Sequence, residues 1–297
     1  MDDIINFRNI KEYNVFNNNE TLHPLVSVVH LDKADPRKLS RMRYDFYTIF
    51  LKKIHCGDLR YGLHNYDYEE GTLIFLAPGQ VIGQSGEEFY RPQGIALIFH
   101  PDLIVGTSLG KNIGDYHFFS YAVSEALHLS EQERKIIRDC FAKIEYELQH
   151  AIDKHSKQLI ISNIELFLNY CTRFYDRQFI TRENVNKGIL ERFEELLNGY
   201  FSSDKPQNIG LPSVSWCADE LHLSTNYFGD LIKKETGTSA QEYIQSKVIH
   251  VAKERIFDNS KSISGIAYDL GFKYPQHFTR LFKQKTGVTP IEYRKLN

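Results

Sequence analysis

The sequence predicts an α+β chain: a strand-rich first part that could close into a small barrel, then helices to the end. Three observations carry this. Up to about residue 120, short runs of β-branched and aromatic residues alternate with glycines. From Ser130 onward, apolar residues recur at helical spacing. The last third holds one pattern twice, a short helix, a turn and a second helix, about fifty residues apart. At 297 residues the chain has room for two domains, each burying its own core.

The strand-like runs are FYTIFLKKI (46–54), LRYGLHNYDY (59–68), TLIFLAPGQVIG (72–83) and GIALIFH (94–100), punctuated by glycines at 57, 71, 79, 83, 86 and 94. Short strands with regular turns indicate a barrel or jelly roll, an architecture that can enclose a small ligand. EEGTLIFLAPGQ is similar to the part of a cupin where a strand ends in a Pro-Gly turn, which implies a cupin-like sensor domain over residues 1–128. Inward-facing Phe46, Tyr61, His64 and Phe75 are the candidate effector contacts, although aromatics at alternating strand positions serve equally as plain core. A metal-dependent cupin enzyme needs a His-x-His pair, a nearby Glu and a later His. Here His23, His30, His55, His64 and His100 stand singly, so neither metal nor cofactor is expected.

Pro101-Asp102 suits a helix start (PDLIVG). The next helix opens at Ser130 with Glu133 three residues on, a capping box, and carries Ile136, Ile137, Cys140, Phe141, Ile144 and Leu148. SKQLIISNIELFLNYCTRFY (156–175) is apolar on more than one face, which implies a second packing partner. That partner is either another copy of the chain or the two flanking domains. On the first reading residues 129–178 form a helical dimerisation segment, with Ile160, Ile164, Phe167, Leu168 and Cys171 as contacts. The polar stretch YDRQFITRENVNKG (175–188) is the expected boundary before a C-terminal domain at 187–297. GILERFEELLNGY (188–200) is its first helix, FSSDKPQNIGLPS (201–213) a loop, and Ser213 or Ser215 the cap of the next helix.

FGDLIKKETGTSAQEY (228–243) aligns with FTRLFKQKTGVTPIEY (278–293), seven of sixteen positions being identical. Upstream, Ala218 and Leu221 match Ala267 and Leu270 at an offset of 49 rather than 50, so the second turn carries one extra residue. Two copies cannot stack a solenoid core. Two helix-turn-helix units, at about 214–235 and 263–285, are the better reading, joined by the helix at 239–258 with Tyr243, Ile244, Val248, Val251, Ala252 and Ile256 inside. Gly271 closes one turn; His222 stands in its place in the other, where φ > 0 carries some strain.

The ordered set Ile266-Ala267, Leu270-Gly271-Phe272, Phe278, Arg280, Phe282-Lys283, Thr286-Gly287, Pro290 and Tyr293-Arg294 resembles the signature of the AraC/XylS family of bacterial transcription regulators. Motif by motif, the resemblance covers about 214–297; upstream it is one of layout. It implies a cytoplasmic, nucleoid-associated regulator, a homodimer that binds promoter or operator DNA in the major groove. It further implies activation through RNA polymerase and an N-terminal domain that answers a small-molecule effector. Val248 stands where family members often carry arginine. Two other functions compete: an effector-independent regulator whose barrel only dimerises, and a metal-dependent cupin enzyme with a DNA-binding tail. No nucleophile elbow, phosphate-cradling loop or paired carboxylates point to catalysis.

A net charge of −2 argues against a nucleic-acid binder, but the charge is unevenly placed. Residues 259–297 hold seven Lys/Arg against two acids (+5), and 186–258 hold eight against eleven (−3). In the second unit the outward residues are Lys273, Pro275, Gln276, His277, Thr279, Arg280 and Lys283. Gln276 suits adenine, Arg280 guanine, Thr279 a thymine methyl or a phosphate, and the lysines phosphates. In the first unit the positions are Thr225, Asn226, Gly229, Asp230 and Lys233. Gly229 has no side chain to read with and Asp230 replaces Arg280, leaving Asn226 and Thr225 as its best readers. The four cysteines form no C-x-x-C pair and fit reduced thiols. MDDIINFRNI lacks the apolar stretch of a signal peptide, and no apolar run approaches the roughly 18 residues that span a bilayer, so a soluble protein without membrane partners is expected.

Overall fold

The structure, a computed structural model, describes residues 4–52, 71–83, 86–150, 153–181, 183–258 and 260–295. The chain divides into two units between Thr181 and Arg182. The first unit mixes strands and helices and the second is all helix, an α+β chain as expected.

Among the described residues the first unit has ten strands: β1 (Ile4–Phe7), β2 (Val26–His30), β3 (Arg37–Lys38), β4 (Arg41–Tyr44), β5 (Tyr47–Leu51), β6 (Thr72–Leu76), β7 (Val81–Ile82), β8 (Phe89–Tyr90), β9 (Ile95–Phe99) and β10 (Leu127–His128). Among the described residues they form three sheets. The five-stranded sheet runs β10-β6-β5-β9-β2, antiparallel throughout, with Ile49 opposite both Phe75 and Leu97. A three-stranded sheet runs β1-β4-β7, and β3 pairs with β8. β2 and β10 remain the edges of the largest sheet, so the described strands do not close it into a ring.

Helices α1 (Ile10–Phe16), α2 (Pro101–Ile104), α3 (Ser108–Asn112), α4 (Glu131–Gln149) and α5 (Ser156–Thr181) belong to the same unit. β6 is buried along its whole length, which requires cover on both faces. Ile74 and Leu76 join one cluster with Tyr13 of α1, Tyr44 and Phe46. Phe75 points the other way, 4.4 Å from the Phe118 ring and 6.4 Å from that of Phe167 in α5. α4 begins at the expected capping box, Ser130 with Glu133.

The division between the units falls within the polar stretch 175–188, whose first half is the end of α5. Tyr175 donates its hydroxyl to the Glu125 carbonyl, Arg177 pairs with Glu133 at 2.7 Å, and Gln178 bonds the backbone of Ala126 and His128. These groups are polar because they tie the last turns of α5 to the chain before β10.

The second unit comprises α6 (Glu183–Ser202), α7 (Lys205–Ile209), α8 (Val214–Glu220), α9 (Thr225–Thr236), α10 (Ala240–Arg255), α11 (Ile263–Asp269), α12 (Pro275–Thr286) and α13 (Pro290–Arg294). The expected loop at 201–213 contains α7, with Pro206 in its first turn, where a missing N–H costs nothing. α10 packs on α6, α9 and α12 and buries Ile244, Val248, Ile249 and Ala252. Sixteen residues make it a rod about 24 Å long.

Candidate nucleic-acid interface

The two helix-turn-helix units are built from the same backbone devices. α8 and α11 end in turns where the N–H groups of Leu223 and Phe272 return to the carbonyls of Ala218 and Ala267, at 2.9 and 3.0 Å. The pivot residues, His222 and Gly271, have φ of 59° and 93°. His222 therefore accepts the left-handed turn that glycine adopts freely. The two hydrogen-bonded turns correspond at an offset of 49 as far as Leu223 and Phe272, whereas α9 and α12 begin 50 apart. The extra residue thus lies in Lys273-Tyr274, opposite Ser224 alone.

Identities farther along have equally local causes. Gly237 and Gly287 end α9 and α12 in the left-handed region, donating to the carbonyls of Lys233 and Lys283. Thr236 and Thr286 donate their hydroxyls to the carbonyls of Ile232 and Phe282, both at 2.7 Å. Ser239 with Glu242, and Thr289 with Glu292, form reciprocal capping boxes. Those hydrogen bonds hold both glutamates below the ordinary carboxylate range. Tyr243 donates to Glu194, and burial together with that carboxylate pushes its phenol up to about 12. Arg294 reaches back to the carbonyls of Ile256 at 2.6 Å and Lys261 at 3.1 Å, pinning α13 to the end of the connecting rod.

On this frame α12 divides into two faces. Phe278 and Phe282 are fully buried, their rings 5.7 Å apart. Gln276, His277, Arg280 and Lys283 are exposed, as is Lys273 in the turn; Pro275 and Thr279 are half-buried. Among the described residues Gln276 and Arg280 make no hydrogen bond or ion pair within the chain. The Thr279 hydroxyl donates to the Pro275 carbonyl at 3.2 Å, which leaves mainly its methyl to present outward. α12 carries Arg280, Lys283 and Lys285 and no acid, while in α11 Asp269 is already paired: Lys261 donates to its carboxylate and, with Gln207, holds it below the ordinary range.

α9 repeats the packing but not the surface. Phe228 and Leu231 are fully buried; Thr225, Asn226 and Lys233 are exposed, while Gly229 and Asp230 are half-buried. Its N-cap, Ser224, accepts from the Tyr227 N–H. Val248, at the site noted for arginine in related sequences, is 1% exposed and serves the apolar core of α10.

The other candidate residues do not converge. Phe46 packs with Tyr13 and Tyr44 on one face of the five-stranded sheet and Phe75 with Phe118 on the other, so the two cannot line one pocket. Tyr61 and His64 lie outside the described residues. Ile160, Ile164, Phe167, Leu168 and Cys171 are at most 2% exposed within one chain. The second partner demanded by α5's excess apolar surface is therefore its own unit: α4 on one side, the sheet and its flanking aromatics on another. What α5 leaves at the surface is Leu159, Leu166 and Ile180. Burial pushes the Cys140, Cys171 and Cys217 thiols up, the last to about 12. Among the described residues no group of three His, Cys, Asp or Glu is placed to hold a metal ion, and no helix is long and apolar enough to cross a membrane.

Comparison with known proteins bears on this architecture. A family model described as a helix-turn-helix domain matches residues 217–296. The raffinose operon transcriptional regulatory protein RafR of Pediococcus pentosaceus is 33% identical over 243 residues, covering 79% of this chain and 84% of RafR. The HTH-type transcriptional regulator YtdP of Bacillus subtilis is 38% identical over 78 residues, 26% of this chain and 10% of YtdP. The chain spans under half the length of each of five such Bacillus subtilis relatives. Among solved structures, the C-terminal domain of AraT, a response regulator from Geobacillus stearothermophilus, is similar at 25% identity over 37% of this chain and 85% of that one, with a TM-score of 0.33.

Proposed function

The chain belongs to the AraC family of transcriptional regulators and carries that family's DNA-binding domain, and on that premise we propose that α12 is its principal reading helix. One observation carries this: the face of α12 opposite the buried Phe278 and Phe282 presents Gln276 and Arg280, which have no hydrogen-bond or ion-pair partner among the described residues. Arg280 is suited to the O6/N7 edge of guanine and Gln276 to the N6/N7 edge of adenine. Lys273 and Lys283 hold phosphates, and His277 and the Thr279 methyl flank the bases. α9 enters a neighbouring stretch of major groove, about 34 Å along the duplex. It contributes chiefly position, through Thr225, Asn226 and Lys233, because Gly229 and Asp230 offer little to bases or phosphates. The rod α10 sets the distance between them.

The first unit is the sensor, and a small-molecule effector is its ligand. RafR, named for a raffinose operon, supports carbohydrate utilisation as the regulated process. Self-association, which would shift the DNA-binding units between arrangements on the duplex, runs through the exposed stripe Leu159, Leu166 and Ile180 rather than the buried face of α5. Activation by contact with RNA polymerase in the bacterial cytoplasm completes the reading. The test is selection of duplexes from a randomised pool by the full chain, followed by titration of the recovered site against scrambled DNA. A preference that is reduced in Arg280→Ala supports α12 as the reader; an unchanged preference removes it.

A further inference from the structure

Of the six helices from α8 onward, five begin at a serine or threonine whose hydroxyl accepts a backbone N–H: Ser213, Ser224, Ser239, Ser262 and Thr289. The exception is α12, whose N-cap is Tyr274, with no side-chain cap. The duplicated unit has Ser224 at the matching N-cap, so here a large aromatic side chain stands in place of a capping hydroxyl. Tyr274 does not repay this by packing inward, since it is 47% exposed. Its ring lies 5.5 Å from that of His277, edge to face, and the Lys273 ammonium is 5.8 Å from its centroid. Tyr274, His277 and Arg280 follow one another at i, i+3, i+6, and so make a single ridge on the exposed side of the helix.

We propose that Tyr274 is a DNA-contacting residue, its hydroxyl donating to a phosphate oxygen at the groove edge while its ring positions Lys273 and His277. This rests on the reading of α12 as the groove-entering helix. The placement follows from the ridge. If Arg280 reaches base edges, the residue two i+3 steps towards the N-terminus stands at the rim, where the backbone passes. A phenol there is a neutral donor with a flat apolar body, suited to a phosphate oxygen and the adjoining deoxyribose. Lys273 supplies the charge beside it. The contact is independent of sequence, so it raises affinity for every duplex and leaves base preference to Gln276 and Arg280. The sequence hides it, because an aromatic three residues before His277 reads as core until its exposure is known.

The test uses the full chain, the duplex recovered by selection, and a random-sequence duplex of equal length. Tyr274→Phe is expected to weaken binding to both duplexes about five- to tenfold. The slope of affinity against salt should not change, because no charge is removed. Lys273→Ala should reduce that slope by about one. Tyr274→Ser restores the missing cap and is expected to raise the melting temperature by a few degrees, about 3 °C, while binding both duplexes more weakly than Tyr274→Phe. Wild-type affinity in Tyr274→Phe and Tyr274→Ser, with Arg280→Ala still impaired, overturns the role of Tyr274. Wild-type affinity and preference in Arg280→Ala as well overturns the reading of α12 itself. If the serine variant melts below wild type, the phenylalanine variant alone decides.

Discussion

Replacing Gly271 by alanine tests the turn that aims α12. Gly271 sits at φ 93°, and a Cβ built on it would lie 2.6 Å from the Gly210 carbonyl carbon, 2.7 Å from its oxygen and 2.9 Å from the Pro206 oxygen. Two costs follow. The left-handed conformation disfavours any side chain by about 1–2 kcal/mol. The contacts are with backbone at the end of α7, which cannot swing aside as a side chain could, and forced overpacking of this kind costs about 1–3 kcal/mol. The sum, about 2–5 kcal/mol, is a large part of the roughly 5–15 kcal/mol that stabilises an ordinary domain. His222, the matching residue of the first turn, already bears the first cost at φ 59°. His222→Gly is therefore expected to stabilise by about 0.5–1 kcal/mol, the strain less the entropy that glycine adds. The assay is urea unfolding followed by the fluorescence of Trp216, the chain's one tryptophan, which lies in α8 with its ring 4.8 Å from Tyr200 and so reports on the second unit. Gly271→Ala should lower the midpoint and His222→Gly raise it. A Gly271→Ala midpoint within error of wild type would refute the reasoning, because neither cost could then be present.

Arg280→Ala is expected to cost about 1–3 kcal/mol on the selected site and to relax preference at one base, read by titration against single-base variants. Lys283→Ala should weaken all duplexes alike and lower the salt slope by about one, measured between dilute and physiological salt. Asp269 is held below its ordinary value of 3.8, chiefly by Lys261, so its contribution to stability is present above that value and is lost as pH falls through the depressed one. Asp269→Asn should accordingly lower the midpoint near neutral pH and flatten its fall below about pH 4. On the proposed self-association through α5, wild type should sediment as a dimer and Leu166→Glu, at an exposed apolar position of that helix, as a monomer with its unfolding midpoint in place.

What could be read in the sequence, and what could not, follows a physical division. The repeat was legible because its shared residues answer demands of the backbone that few side chains can meet. Gly237 and Gly287 stand where φ is positive, Thr236 and Thr286 where a carbonyl needs a donor, and Glu242 and Glu292 where a helix start needs an acceptor. The early strands show the opposite case. β1 pairs in parallel with β4, more than thirty residues away, and nothing in IINF announces a partner at that distance. α5 was legible as doubly apolar but not as to its partner, because hydrophobic content measures how much surface must be covered and is silent on what covers it. α4 and the sheet side of its own unit do so. The proposed interface sits at the far end of this scale. Phe278 is dictated by packing and Gly287 by φ, whereas no demand of the fold selects Gln276, Arg280 or Tyr274. Such positions are found by subtraction, once every residue the structure requires has been assigned. Tyr274 is the sharpest instance, since there the fold's own preference, a capping hydroxyl as at Ser224, has been set aside for a side chain that touches only its exposed neighbours Lys273 and His277 by its ring.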